Sequence, residues 1–508
     1  MTFNSWEFLI FFPIVTLLYF ILPKKCKWPM LLIASYYFYI FYQAELIVLI
    51  FGTTLISWVA SNIIEKTENP RVRKLWLAIT LIVCLGVLFF YKYFNFLAGS
   101  IVSLVELFGG HPSPLVLNLI LPVGISFYTF QTLSYVIDVY RGDIRTERNF
   151  FFYALFVSFF PQLVAGPIER PDNLIPQLRE PHKWDNANAI KGAKTMIVGF
   201  IKKVIVADGI SIYVDAVYNN AAAMRTGEMA ATLTGPSIVI ATVLFAVQIY
   251  CDFSGYTDIA TGCARIMGIR LMKNFDHPYM ATSIKEFWDR WHISLSSWLH
   301  DYLYYPICGK HKGGRRLFAI MVVFLASGLW HGAAWTYVIW GAIHGIFRVL
   351  GQITWKPRNN LLAKIGIRPD HPVLVWIRRF NTFVLVSFAW IFFRANSVAD
   401  AFWLVKNIFT GWARSPVAVV EGLVSQVNLD LALDAEAAIP ALIGLLTVIF
   451  SVLILLLTDR LLTYDDGPDG SDTLVRNGSF VYYVLIILFC WGLLLSRNMA
   501  STFIYFQF

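Results

Sequence analysis

Between Leu317 and Phe347 the chain runs for 31 residues without one Asp, Glu, Lys or Arg, and the run holds two imidazoles, His331 and His344. A bilayer is crossed by ~20 apolar residues, so a stretch of this length belongs in a membrane. An ionisable side chain inside such a stretch is costly enough to mark function. Imidazole is also the side chain that exchanges a proton near neutral pH. The run therefore points to proton chemistry carried out within a membrane.

The rest of the chain agrees. Of its 508 residues, 57% are hydrophobic and only 14% are charged, against about 25% charged in soluble domains. Runs at Leu46–Ile64, Leu75–Tyr91, Ala437–Thr458 and Asn477–Ser496 approach the length that crosses ~30 Å of hydrocarbon. Shorter or interrupted candidates are Phe8–Pro23, Trp28–Ala44, Leu115–Ile137, Asn149–Ile168, Ala230–Cys251 and Phe380–Phe393. The expected fold is an all-α polytopic membrane protein with roughly 10–12 transmembrane helices plus re-entrant or amphipathic helices. Residues 1–508 read as a single membrane domain.

Lys24, Lys25 and Lys27 follow the first apolar run, which places the N-terminus outside and that cluster in the cytoplasm. Nothing basic precedes the run and no small-residue cleavage site follows it, so it does not read as a signal peptide. The formal charge of +9 is scattered over short loops of this kind, among them Lys310, Lys312, Arg315 and Arg316. That distribution fits a membrane surface and excludes nucleic acid as a partner. The six cysteines form no CxxC pair and read as buried apolar side chains.

The segment Ser283–Tyr302 differs from the spans. Ser283 with Glu286 forms a capping box, and Ile284, Phe287, Trp288, Trp291, Leu295, Trp298 and Tyr302 make one apolar stripe at helical spacing. Its charges suit an amphipathic or re-entrant helix. His292 falls at the edge of the stripe near Lys285, Asp289 and Ser296, with Asp289 spaced to orient its ring. A plain capped amphipathic helix is the competing reading. From Arg316 to His331 is 15 residues, or roughly 22 Å of helix, which is most of the way across. Gly328 and Gly332 bracket His331, and they suit a helix break, close helix packing, or both.

Several soluble-enzyme signatures are missing: the Gly-x-Ser-x-Gly elbow, His-Glu-x-x-His, and the phosphate-binding Gly-x4-Gly-Lys loop. The His-x4-Asp pair of glycerolipid acyltransferases is also missing. His292 and His331 have no third ligand nearby, so no metal is expected.

Three ordered blocks carry a resemblance. They are Phe287-Trp288-Asp289-Arg290-Trp291-His292-Ile293-Ser294-Leu295-Ser296, Asp301-Tyr302-Leu303-Tyr304 with Pro306, and Gly328-Leu329-Trp330-His331-Gly332-Ala333-Ala334-Trp335. Further matches lie at Phe3–Pro13, Leu121–Gln131, Phe160–Ile168, Tyr250–Asp258, Phe393-Arg394-Ala395 and Phe503–Phe506. Together they closely resemble the membrane-bound O-acyltransferase family, within it the alginate O-acetylation branch. Pro306-Ile307-Cys308-Gly309 resembles the Pro-Leu-Gly-Gly of that branch, with Cys308 in place of its first glycine.

The resemblance implies acyl transfer from a cytoplasmic thioester to a hydroxyl on the outer face of a bacterial inner membrane. It maps the essential histidine to His331 and a second one to His292. The donor it implies is acetyl-CoA, with no bound cofactor. The acceptor is an extracytoplasmic polysaccharide or a secreted SGNH-type acetyltransferase partner. A positioned base contributes about 10²–10⁴-fold to such a reaction, and His331 takes that role, with His292 supporting acyl binding or polarisation. Indole N–H groups of Trp330 or Trp335, or the His292 ring, are candidates to stabilise the oxyanion. Trp330, Trp335, Asp289, Ser296 and Gln131 are the candidate substrate or tunnel-lining residues. His344, His300, His277 and His311, and likewise Asp252 and Asp258, read as structural. Two alternatives stand beside this reading. One is D-alanyl transfer from an acyl carrier to teichoic acids; the other is a transporter or flippase without covalent chemistry.

Overall fold

The computed structural model describes residues 1–413, except 114, 165, 230–232 and 310–314, together with residue 419. The expected spans Ala437–Thr458 and Asn477–Ser496, the motif Phe503–Phe506, and Lys310, His311 and Lys312 lie outside the described residues. Among those described, helices carry the fold, and the extended pairing is one bridge between Phe275 and Trp291.

The chain forms two compact units. The first, Met1–Met196 with Tyr256–Asn274, begins with α1 (Trp6–Ile21), α2 (Lys24–Gln43), α3 (Ile47–Lys66) and α4 (Pro70–Leu107). It continues with α5 (Ile125–Arg141), α6 (Phe150–Ser158), α7 (Phe160–Leu163), α8 (Pro171–Arg179) and the start of α9 (Asn186–Phe200). Helix starts are encoded locally. Asn69 accepts the Arg71 N–H at 3.0 Å just ahead of Pro70, a cap followed by the one residue with no N–H to orphan. Apolar helices satisfy their hydroxyls internally: Thr54, Ser57 and Ser61 donate to the carbonyls of Ile50, Thr53 and Ser57 at 2.6–2.8 Å. Where water is absent, that local bond is the cheapest partner.

Two expected spans are not continuous. Within Leu115–Ile137 the helix starts only at Ile125, because Gly124 before it adopts φ 73°. A Cβ at Gly124 would lie 2.4 Å from the Leu163 carbonyl oxygen, so the chain must turn there on a glycine. Within Asn149–Ile168, α6 stops at Ser158 and a separate short α7 follows. Pro161 has no N–H to continue the ladder.

The polar stretch after α7 clamps the backbone at Arg270–Met272. Glu169 is fully buried and accepts from the Met272 N–H at 2.5 Å and from Asn173 Nδ2 at 2.7 Å. Gln177 bonds both backbone groups of Arg270, at 2.7 and 2.9 Å. Burial pushes the Glu169 carboxyl up to about 7.

The second unit comprises Ile197–Gly255 and the described residues from Phe275 onward. It holds the end of α9, a wide π-type segment Ile201–Ala207, α10 (Asp208–Asn219), α11 (Ala221–Thr226) and the N-terminal part of α12 (Gly235–Ile266). Then come α13 (Ile284–Arg290), α14 (Ile293–Leu299), α15 (Tyr305–Cys308), α16 (Arg315–His331) and α17 (Trp335–Ile353). The described chain ends with α18 (Trp355–Lys364), α19 (Pro372–Arg394) and α20 (Val398–Asn407). In the π-type segment Lys203 Nζ lies 2.8 Å from Asp208 and 2.7 Å from Asp252, all three nearly fully buried. Buried charges persist only when paired this closely.

Four helical stretches among the described residues are long and apolar enough to cross a membrane: Ala44–Lys66, Pro70–Leu107, Gly235–Ile266 and Pro372–Arg394. Trp6–Ile21 is a shorter apolar helix. Their outward residues, such as Ile10, Leu17, Ile82 and Leu85, are exposed, as lipid contact requires. The all-α membrane fold expected from the sequence is the fold observed.

Two outcomes follow. Glu169 ordinarily titrates at 4.5 and here at about 7, so the folded state binds its proton more tightly than the unfolded chain. Its stabilising contribution is complete below pH 4.5 and lost as pH rises through about 7. Melting of the solubilised protein should therefore fall across that window relative to Glu169→Gln; parallel profiles would refute the assignment. Lys203→Met leaves two buried carboxylates facing each other, a loss of about 3–5 kcal/mol. The melting temperature should drop sharply and recover when Asp208→Asn and Asp252→Asn are added.

Candidate active site

The stripe-bearing segment folds as two helices, not one. Ser283 caps α13 by accepting the Glu286 N–H at 3.1 Å. Glu286 returns to Thr282, accepting its N–H at 2.7 Å and its hydroxyl at 2.6 Å, so the box closes one residue earlier than expected. α13 ends at Arg290, and Trp291 extends into the bridge with Phe275. His292 then takes φ 45°, ψ 54° and opens α14. This left-handed conformation costs roughly 1–2 kcal/mol for an L-residue. It is held because Asp276 N–H donates to Arg290 O at 2.9 Å and Ser296 N–H to His292 O at 2.9 Å, on either side of the break.

The uncharged run folds as a helical hairpin. α16 ends at His331, residues 332–334 turn, and α17 begins at Trp335. Glycine sets the spacing of its arms. A Cβ on Gly328 would stand 2.3 Å from the Tyr337 carbonyl oxygen, and one on Gly341 would stand 2.3 Å from that of Phe324. At Gly332 a Cβ would strike the Tyr337 ring at 2.1 Å. The two readings of these glycines therefore coexist: Gly328 permits close packing, and Gly332 begins the break.

These two irregular points bring the histidines together. Ring centroids of His292 and His331 are 6.3 Å apart. Trp330 contacts both, at 5.6 Å from His292 and 5.0 Å from His331. Phe253 of α12 lies edge-on to His292 at 4.7 Å. Trp340 of α17 and Phe393 of α19 lie against His331 at 5.1 and 5.4 Å. Both histidines are buried. His292 sits between two short helices, outside the membrane-spanning segments, and burial holds its imidazole down to about 3. It is a neutral ring at physiological pH.

The other sequence candidates scatter. Trp330 is part of the pair's wall. Trp335 begins α17 and is 55% exposed. Asp289 pairs with Lys285 at 2.5 Å on a half-exposed face, so it does not orient the His292 ring as a continuous helix would have allowed. Ser296 donates to the Trp291 carbonyl at 3.2 Å. Gln131 belongs to the first unit, where its amide donates to the Phe156 carbonyl at 2.8 Å. Sequence reasoning passed over Trp340 and placed His344 in the structural class. The two stand four residues apart on α17, in the same uncharged run as His331, with Trp340 against the His331 ring.

A buried imidazole beside a second neutral imidazole, both within aromatic walls, can accept a proton from a hydroxyl while excluding water. Comparisons with known proteins bear on that chemistry. Residues 143–393 match the MBOAT, membrane-bound O-acyltransferase, family. The chain is 36% identical over 418 residues, 81% of its length and 75% of the relative's, to the probable alginate O-acetylase AlgI of Pseudomonas aeruginosa. It is 32% identical over 439 residues, 80% of its length and 79% of the relative's, to the peptidoglycan O-acetyltransferase of Helicobacter pylori. The teichoic acid D-alanyltransferase of Bacillus subtilis is 28% identical over 270 residues, 49% of this chain and 66% of that protein. The chain is thus a membrane O-acyltransferase and belongs to the membrane-bound O-acyltransferase family.

Proposed function

We propose that this enzyme, in a bacterial inner membrane, carries acetyl groups from a cytoplasmic thioester, acetyl-CoA, to an extracytoplasmic hydroxyl. That hydroxyl belongs to a polysaccharide or to a secreted SGNH-type acetyltransferase that completes the transfer. The observation carrying the reading is the burial of His331 at the end of α16, with His292 and Trp330 against it. The named activities of the relatives, O-acetylation of alginate and of peptidoglycan, support an acetyl group and a polysaccharide acceptor.

In this mechanism His331 removes the proton of the acceptor hydroxyl as its oxygen attacks the thioester carbonyl carbon. The carbonyl π-electrons move onto oxygen, and the tetrahedral adduct collapses by expelling the thiolate of CoA. The proton on His331 passes to that thiolate, leaving a free thiol and an O-acetyl ester. His292, held neutral, is a positioning group that keeps Trp330 and the acyl group beside His331. D-alanyl transfer is the second reading. It is favoured by relatives that match only about half of this chain, and the acetylation-type Pro306–Gly309 pattern opposes it.

Membranes supplied with labelled acetyl-CoA test the assignment. At equal expression, wild type should place label in polymer or secreted partner, and His331→Ala should lose about 10²–10⁴-fold. Equal transfer by both would remove His331 from the mechanism. For His292 the informative variant is His292→Asn, since Asn tolerates the left-handed turn but lacks the ring. Turnover should fall roughly tenfold to a hundredfold, on the scale of a misplaced reacting group, with folding retained. Full turnover with unchanged donor affinity would make His292 purely structural.

A further inference from the structure

Trp340 and His344 lie one turn apart on α17, with ring centroids 5.0 Å apart, and neither is exposed to solvent. The Trp288 indole N–H donates to His344 Nδ1 at 3.3 Å. That bond fixes the tautomer: Nδ1 accepts, so the ring proton is on Nε2. Neither this Nε2–H nor the Trp340 indole N–H meets a protein acceptor among the described residues. A buried donor left unmade costs about 1–3 kcal/mol, and here two occur on adjacent turns. The walls around them are aromatic: Trp390 lies 5.6 Å from Trp340 and 6.4 Å from His344, and Phe393 lies 5.2 Å from Trp340.

Both groups can only donate, so their complement is an oxygen with lone pairs and no need to donate in return. An attacking hydroxyl fits poorly, because hydrogen bonds into its oxygen would weaken it as a nucleophile. A carbonyl oxygen that gains negative charge fits well. Trp340 also contacts the ring of His331 at 5.1 Å, next to the group that removes the acceptor's proton. We infer that Trp340 and His344 are catalytic residues whose ring N–H groups bind the thioester carbonyl oxygen and stabilise the oxyanion formed on it. The hydroxyl oxygen loses its proton to His331 and forms the new C–O bond, the displaced π pair rests on the carbonyl oxygen, and its return expels the thiolate. This assignment rests on the proposed role of His331 and of a thioester donor. It differs from the oxyanion groups expected from the sequence, Trp330, Trp335 and His292.

The test uses full-length His331→Ala protein, which retains unreacted donor, with acetyl-CoA carrying heavy carbon at its carbonyl. Isotope-difference infrared spectra should show the bound thioester carbonyl band below its position in buffer. The shift should shrink when Trp340→Phe is added, since only the His344 N–H then remains. In otherwise wild-type enzyme, Trp340→Phe should lower kcat about 10²-fold with little change in KM for acetyl-CoA. His344→Phe should act in the same direction, and His344→Gln, which keeps a side-chain N–H, should recover much of the loss. A bound band at its buffer position, or one unmoved by Trp340→Phe, overturns the assignment while leaving the donor intact. Absence of any bound band overturns the acetyl-CoA reading itself, and this assignment with it. If Trp340→Phe does not fold, the His344→Phe and His344→Gln pair decides: equal activity of the two refutes the donor role.

Discussion

The close approach of α16 and α17 is the contact on which the site depends. In lipid, helices gain little from the hydrophobic effect, and association rests on van der Waals packing that small residues permit. Gly328 and Gly341 face the partner backbone so tightly that neither tolerates a Cβ. His331 lies three residues past Gly328, and Trp340 immediately precedes Gly341. The backbone contact therefore sets the distance between these rings directly. The helix end at His331 leaves carbonyls without intrahelical donors, which a membrane protein tolerates only where the chain is buried in protein. The walls of Trp340, Phe393 and Trp330 supply that burial.

The same logic appears at His292. A single helix through Ser283–Tyr302 would have carried this ring along the polar edge beside Asp289. The break at Trp291 instead packs Trp291 against Phe275 and Trp390, and His292 against Phe253 and Trp330. The conformational cost of one left-handed residue, roughly 1–2 kcal/mol, is offset by the packing of the Trp291 and His292 rings against these walls. Both histidines thus occupy helix ends. There the chain changes direction, and the side chain is placed by two elements instead of one.

Much of this was legible from residue order. The uncharged run, the glycines around His331 and the quoted motifs led to a membrane acyltransferase with His331 at its centre. What escaped was non-local. Hydropathy sees Leu115–Ile137 as one apolar run, but the Gly124 turn is dictated by Leu163, some forty residues away. Periodicity sees Ser283–Tyr302 as one helix, but the break is fixed by pairing with Phe275 and Asp276. Asp289 looked like an orienting carboxylate because i,i+3 spacing assumes that helix, whereas Lys285 claims it. His344 reads as structural because a lone histidine on an apolar face usually is, and the donor role proposed for it rests on a distant contact. Its tautomer, and therefore its spare donor, depends on Trp288, which lies 56 residues earlier.

The charge state of His292 matters to the proposed reaction. Proton removal from a hydroxyl makes a cation of the base for the lifetime of the adduct. A second imidazole at 6.3 Å that also charged would oppose this step, since like charges at that range in a poorly polarisable interior repel strongly. Burial holds His292 down to about 3, so it remains neutral while His331 cycles. A lysine or arginine in its place would supply a permanent positive charge and compete with the step it was meant to assist. A neutral ring at 292 keeps the site closed to water and leaves the transient positive charge to His331 alone. That charge then stands next to the oxyanion, where attraction between the two lowers the barrier.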